Sequence, residues 1–463
     1  MNRQQPTKAL ARFAADLSFE EIPTAVIERI KLCLLDTFGC GLFGSSLPWS
    51  RIVAEFAGEL GGAQESAIWG RGFKASVSNA ALANGTAVHG FEMDDLHKTS
   101  IVHPGSVVVT SGLAMAEHIG GCDGKDFLTA LVAGYELAIR VGMSVGTSHL
   151  QKGFHPTGTN GAFGAAAVSG KLLKLNPQEM LHALGIAGTQ AAGLMAAQYS
   201  AMVKRMHAGR AAQSGVYGAL LARKGFTGIT NILEADYGGY CKVMADDADM
   251  ALLTDALGER FETGVVGFKP YAAGGSTHTG HEAVKEIMQE NDLTADTIEK
   301  ITIRTTTATY HHTSWKYRPD GVTAAQMNMH YVVAVTALEG DIFIDQFTEE
   351  KIKDPAIIDF SRKVEVVADP ELDRLGSEFR HTVVAEVKTT SGRTHRKRVE
   401  TAKGSNKRPM PPADVVKKYR ILAGQIISDK DVDALQQMVQ ELETLSDVRR
   451  LATPLMTSED TVR

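Results

Sequence analysis

PTAVIERIKLCLLDTFGCGLFG, residues 23–44, is the stretch on which the fold turns. Val26, Ile30, Leu32, Leu34 and Phe38 wind around a helix with apolar residues on nearly every side, which predicts a buried core helix ending at Gly39. The same style recurs outward from it. SNAALANGTAVHG, GSVVVTSGLAMAEHIG, GKDFLTALVAGYELAIRVGMSV and NPQEMLHALGIAGTQAAGLM are all Ala- and Leu-rich with helical period, punctuated by glycines that let helices pack closely. The expected fold is therefore mainly α, with a large all-helical domain running to about residue 265. The style changes near residue 297. IEKITIRTTTATY alternates, SRKVEVVADPEL and HTVVAEVKTT look like strands, and TTSGRTHRKRVE turns at Ser391-Gly392 into another. TAAQMNMHYVVAVTALEG between them reads as one helix. After GSNKRPMPPADVV, a polar linker with three prolines, amphipathic helix returns. We divide the chain into a first helical part, 1–267, an inserted α+β lid, 268–403, and a C-terminal part, 404–463, that rejoins the first. The crevice between lid and helices is the expected ligand site.

Composition narrows the function classes. The 463 residues are 44% hydrophobic and 22% charged, an ordinary globular profile, and the net charge of −6 offers no general attraction to nucleic acid or anionic membrane. The four cysteines, Cys33, Cys40, Cys122 and Cys241, show neither metal-binding nor disulfide spacing. The N-terminal residues lack the apolar core of a signal peptide, and no stretch offers about 18 uninterrupted apolar residues. The expectation is a cytoplasmic protein with no membrane and no nucleic-acid partner.

Four stretches carry chemistry. AMVKRMHAGRAAQSG, residues 201–215, places Lys204, His207 and Arg210 at helical i, i+3 spacing beside small residues, giving either a solvated basic face or a seat for an anion. AVHGFEMDDLHKTSIVHPGSVV, residues 87–108, gathers Glu92, Asp94 and Asp95 with His89, His97 and His103. Carboxylates beside imidazoles suit proton abstraction next to a carboxylate, although an Asp cap with satisfied histidines would have the same composition. Its spacing matches no familiar metal-ligand pattern, so no metal is expected. His103 precedes Pro104, which biases it toward extended backbone and lets a loop present its ring; it could instead buttress the following helix. GFHPTGTNGAFGAAAVSG, residues 153–170, sets His155 before Thr157, Thr159 and Asn160 at a helix start, a weak anion cradle. GFKPYAAGGSTHTGHEAVKEIMQE, residues 267–290, places Lys269 upstream of Ser276 and Thr277, expected N-caps of the next helix, and so forms a sharper carboxylate or phosphate seat.

Taken together and in order, NGTAVHGFEMDDLH…HPGSVVV, GFHPTGTNGAFGAAA, KRMHAGRAAQSGVYGALLARKGFTGITNILE and FKPYAAGGSTH resemble the MmgE/PrpD family of 2-methylcitrate dehydratases, cis-aconitate decarboxylases and iminodisuccinate epimerases. The resemblance covers most of residues 20–340. It implies a helical domain built from both chain ends, an α+β lid, a homodimer and a cofactor-free, metal-independent site in the cleft. It also implies that Glu92, His103, His155, Lys204, Lys269 and Tyr331 are site members, with Asp94, Asp95 and His207 in the same matched segments. Three positions depart from the pattern: Glu92 replaces the usual first acid, Leu96 a common Thr, and Gly274 a histidine carried by the decarboxylases. The last departure counts against cis-aconitate decarboxylation. The expected activity is a hydro-lyase acting on a small anionic polycarboxylate such as 2-methylcitrate. Lys204, Lys269 and Arg210 would neutralise carboxylates, His103 would move the proton, and His155 or Tyr331 would protonate the leaving hydroxyl. An epimerase, a decarboxylase or a non-catalytic organic-acid binder are the alternatives.

Overall fold

The computed structural model describes residues 5–456, and the chain is mainly helical. The helix read from residues 23–44 runs Thr24–Ser45, past the expected stop at Gly39. A glycine inside a helix costs about 1 kcal/mol, but here close packing requires one. A Cβ on Gly44 would fall 1.8 Å from the carbonyl oxygen of Ala87, so only glycine lets this helix lie against Val77–Val88. The same device recurs where it matters for the site. A Cβ on Gly209 would sit 2.1 Å from the Leu82 carbonyl oxygen, so Val203–Arg223 can press directly on Val77–Val88. Helices Gly105–His118, Gly124–Gln151 and Pro156–Leu172 complete the packed core. Among the described residues, Gly124–Gln151 is the helix long and apolar enough to cross a membrane, and 94% of its most apolar window is buried inside the protein.

The second style of sequence forms a four-stranded sheet in the order Val364–Ala368, Ile298–Thr305, Val383–Thr389, Thr394–Val399. The first two strands pair in parallel and the others antiparallel. Ile298, Ile301 and Ile303 point to the covered face, where helices His278–Glu290 and Met329–Glu339 pack. The edge strand carries His395, Arg396, Lys397 and Arg398, charges that keep an exposed edge from pairing further.

Two local expectations are corrected. The Thr run after Thr305 does not extend the strand: Thr306 caps a short helix, Thr307–Thr313, by accepting the Thr309 N–H. The helix expected over 323–340 is broken into Val322–Gln326 and Met329–Glu339, because the Asn328 side chain accepts the Tyr331 N–H and starts a new helix. Beyond the proline linker, helix Pro412–Ala423 packs on Thr24–Ser45, and its buried Lys418 donates to Asp36 at 2.7 Å and to the carbonyl of Met93. That lysine ties the C-terminal segment to the loop carrying the acidic run.

Candidate active site

Helix Val77–Val88 ends in a single 3-10 turn, His89–Phe91, and Glu92 follows in the left-handed region at φ 58°. A non-glycine residue rarely holds that conformation unless its surroundings impose it. Here they do. The buried Glu92 carboxylate receives Lys204 Nζ, Arg205 Nη1 at 2.7 Å and Lys269 Nζ at 3.0 Å, one cation from each of three positions in the chain. Burial works against ionisation, but the three cations hold this carboxyl well below the usual carboxylate range. Burial also brings Lys204 down to about 8, helped by Arg205 and Lys269 and opposed by Glu92. Gln326 locks the arrangement by donating to the carbonyls of Phe91 and Ala272, both at 2.9 Å, and accepting from Arg205 Nη2 at 2.7 Å.

The cationic face therefore differs from the one expected. Successive helical residues are rotated by about 100°, so Lys204 is flanked inwardly by His207 on one side and Arg205 on the other. Arg210 lies further round the helix, is exposed and donates to Gln213, with no part in the cavity. Arg205, passed over in the i, i+3 reading, is fully buried in its place.

Behind Glu92, Asp94 sits between two imidazoles: His89 Nδ1 is 2.8 Å from Oδ2 and His103 Nδ1 is 3.2 Å from Oδ1. Burial opposes the charge on Asp94, and His103 and His89 hold its carboxyl well below the usual range. Nδ1 of His103 faces Asp94 at ion-pair distance without a hydrogen bond, and Nε2 is the nitrogen left for chemistry in the cavity that His103 lines. His103 is held from outside its own loop: its backbone N–H donates at 3.1 Å to Oγ1 of Thr157, at the start of helix Pro156–Leu172. The rings of His103, His89, His155 and His207 follow one another at centroid spacings of 5.0, 5.2 and 5.1 Å. His155 and His207 face each other Nδ1 to Nδ1 at 3.0 Å, so one donates and the other accepts. Burial pushes His89 and His207 down to about 4 and His155 well below its ordinary value, with Lys204 pushing the same way on all three; at His89, Asp94 opposes the shift. His89, Asp94 and His103 each offer a ligand atom within 4.8 Å of the others, the set that would hold a cation if one bound. Of the two imidazoles, His89 hydrogen-bonds the carboxylate and His103 faces it at ion-pair distance.

Asp95 is structural: it accepts the Gly105 N–H at 2.9 Å and the Tyr135 hydroxyl at 2.8 Å. The 153–170 cradle is filled by its own neighbours, since Thr159 meets His149 at 2.7 Å and Asn160 accepts from Tyr240 at 2.8 Å. Tyr331 is fully buried, packs its ring in tilted contact with Tyr317 and Phe347, and donates its hydroxyl to the Gln346 carbonyl at 2.6 Å. It is a core residue and does not line the cavity. Ser276 does line it, although not as a helix cap. Its hydroxyl lies 3.0 Å from His312 Nδ1 and 3.2 Å from His381 Nε2, two histidines the sequence reading missed, while Thr277 turns its hydroxyl back to Gly274. Burial, with Lys204 adding to it, lowers His312 to about 4; burial and Arg380 hold His381 well below its ordinary value. The cavity so formed brings Glu92, His103, His155, Lys204, Lys269 and Ser276 together beneath Leu96, Ile101, Met195 and Met327.

The two parts of this site match known proteins in the same order. Residues 8–253 match the MmgE/PrpD N-terminal domain and residues 271–444 the MmgE/PrpD C-terminal domain. The chain belongs to the MmgE/PrpD family. A cis-aconitate decarboxylase-like protein of Aspergillus oryzae is 32% identical over 465 residues, covering 96% of each chain. A cis-aconitate decarboxylase of Aspergillus terreus is 31% identical over 472 residues, covering 97% of this chain and 95% of its own. A mitochondrial 2-methylcitrate dehydratase of Yarrowia lipolytica is 23% identical over 385 residues, 80% of this chain and 73% of its own. The MmgE/PrpD relatives are thus decarboxylases and a dehydratase, which supports an enzyme and fits the lyase class. The 2-methylcitrate reading has only the more distant relative behind it.

Proposed function

We propose that this protein is a lyase acting on a small tricarboxylate through a carbanion next to a carboxylate, with His103 as its proton-transfer group. The observation that carries the proposal is one arrangement: His103, facing the Asp94 carboxylate at 3.2 Å, on one wall of a cavity that also holds Lys204 and Lys269. The lysines, now shared with Glu92, would neutralise a substrate carboxylate and with it the enolate-like charge that develops on the neighbouring carbon. In a decarboxylation the bond to the departing carboxylate breaks, carbon dioxide leaves, and the electron pair stays on carbon. The His103 imidazolium then delivers a proton to that carbon, and Asp94 stabilises the cation before and during transfer. The chemistry requires one acid, and the other nearby imidazoles are held neutral. Residues 268–403, which supply Lys269, Ser276, His312 and His381, would act as the lid over the helical part.

Dehydration of 2-methylcitrate is the second reading, favoured by Gly274. The resemblance places a histidine of the decarboxylases at this position, and a Cβ there would meet Met327 Sδ at 2.9 Å. In that reaction neutral His103 removes the proton and the hydroxyl leaves. Incubation with cis-aconitate, 2-methylcitrate and related acids in D2O, followed by NMR, tests both readings. We expect deuterium at the carbon next to a carboxylate, with carbon dioxide or water released, and undiminished activity after EDTA treatment. Binding with neither deuterium incorporation nor turnover would make the protein an organic-acid binder, and activity restored only by an added divalent ion would refute the metal-independent mechanism.

A further inference from the structure

Arg380 stands apart from the other cations of the site. It is 92% buried by its 8% exposure, on the chain segment just before strand Val383–Thr389, and lines the wall of the cavity described above. Its Nη2 donates to the Lys98 carbonyl at 2.8 Å, and among the described residues no carboxylate lies within ion-pair distance. Burial alone lowers this guanidinium to about 10, with no acid opposing the shift. A buried cation without a counter-charge is costly, and natural proteins pair such groups or place them where an anionic ligand completes them. Glu92 cannot serve, since Lys204, Arg205 and Lys269 already occupy it.

The shape of the site points the same way. The cavity beneath His103 holds about 60 Å³, room for a handful of waters and less than a tricarboxylate needs. A second cavity of about 620 Å³ shares part of its wall with it, Ser276, His312 and Arg380 lining both. The acid on the larger wall, Asp373, is bound to Thr307 N and Oγ1 at 2.9 and 2.6 Å and does not reach Arg380. His312 Nε2 is buried with no partner.

We infer that Arg380, with Ser276 and His312, forms a second carboxylate subsite that takes the carboxylate of the substrate most remote from the Lys204–Lys269 pair. A guanidinium fork suits a carboxylate in two-point contact, and the serine hydroxyl and neutral imidazole supply further hydrogen bonds. The subsite would let the enzyme separate tricarboxylates from dicarboxylates. This inference rests on the polycarboxylate reading given above.

The test compares binding of tricarballylate and methylsuccinate, which lacks one terminal carboxylate of tricarballylate, to the full-length protein and to Arg380→Gln by calorimetry. The wild type should prefer tricarballylate, and the variant should lose about tenfold or more on tricarballylate while methylsuccinate binding changes little. A variant that merely distorts the site would weaken both ligands alike, and that result overturns the subsite. So does a wild type that binds the two equally, or a variant that keeps the preference. A wild type that binds neither ligand overturns the polycarboxylate reading, and the subsite with it. Should Arg380→Gln fail to fold, Ser276→Ala removes only a hydroxyl. It is expected to show the same selective loss at a few-fold amplitude, and an equal loss on both ligands overturns the proposal.

Discussion

Replacing Glu92 by Gln tests how the cationic cluster is held together. The side chain keeps its size and one hydrogen-bonding oxygen but loses the charge that Lys204, Arg205 and Lys269 converge on. All four groups are buried, so the three cations would be left facing one another without an anion. Breaking a buried ion pair by removing one partner costs about 3–5 kcal/mol. Three cations on one carboxylate place this case toward the upper end, while the retained amide oxygen and the lowered proton affinity of Lys204 pull it back. We expect a loss of about 3–5 kcal/mol by urea denaturation at neutral pH. The loss should shrink in acid. The folded carboxyl titrates well below its unfolded value of about 4.3, so its contribution is fully present above that value and disappears as pH falls through the folded one. A tricarboxylate added to the variant would supply the missing charge, and should raise its stability more than that of the wild type. A variant as stable as wild type, with no extra response to tricarboxylate, would refute the reasoning that Glu92 stands where a substrate carboxylate later competes.

His103→Asn should lower kcat by about 10²–10⁴ with little change in Tm or ligand affinity, because asparagine can still meet Asp94 but cannot carry a proton; an early-melting variant with normal turnover would make His103 structural. Lys204→Ala should weaken tricarballylate binding by about 1.5–3 kcal/mol while Arg210→Ala leaves it unchanged, measured side by side by calorimetry. Tyr331→Phe should cost stability through the lost bond to Gln346 and leave kcat at the wild-type level in a steady-state assay. His89 and His207 are buried neutral and titrate at about 4, against about 6.5 when unfolded, so stability is full above pH 6.5 and should fall as pH drops toward 4, followed by Tm across that window.

Local sequence determined the elements, because helical period, alternation and turn residues act over a few residues. The buried helix at 24–45, the strands at 298–305, 364–368 and 383–389, and the loop presenting His103 were all legible in that way. So was the grouping of Glu92, Asp94 and His103, which one short loop carries. Gly39 misled because its close contact with Tyr419, in a helix nearly four hundred residues away, is invisible locally. The site's finer membership belongs to tertiary structure for the same reason. Arg205 rather than Arg210 faces inward because Gly209 lets its helix press on Val77–Val88 at one particular rotation. Tyr331 is core because Asn328 restarts its helix against Tyr317 and Phe347. Gln326, Arg380, His312 and His381 carry no local signature, being single polar residues in ordinary surroundings. What makes them functional is burial beside groups far away in sequence, where a charge or an imidazole without water must find its partner across the fold.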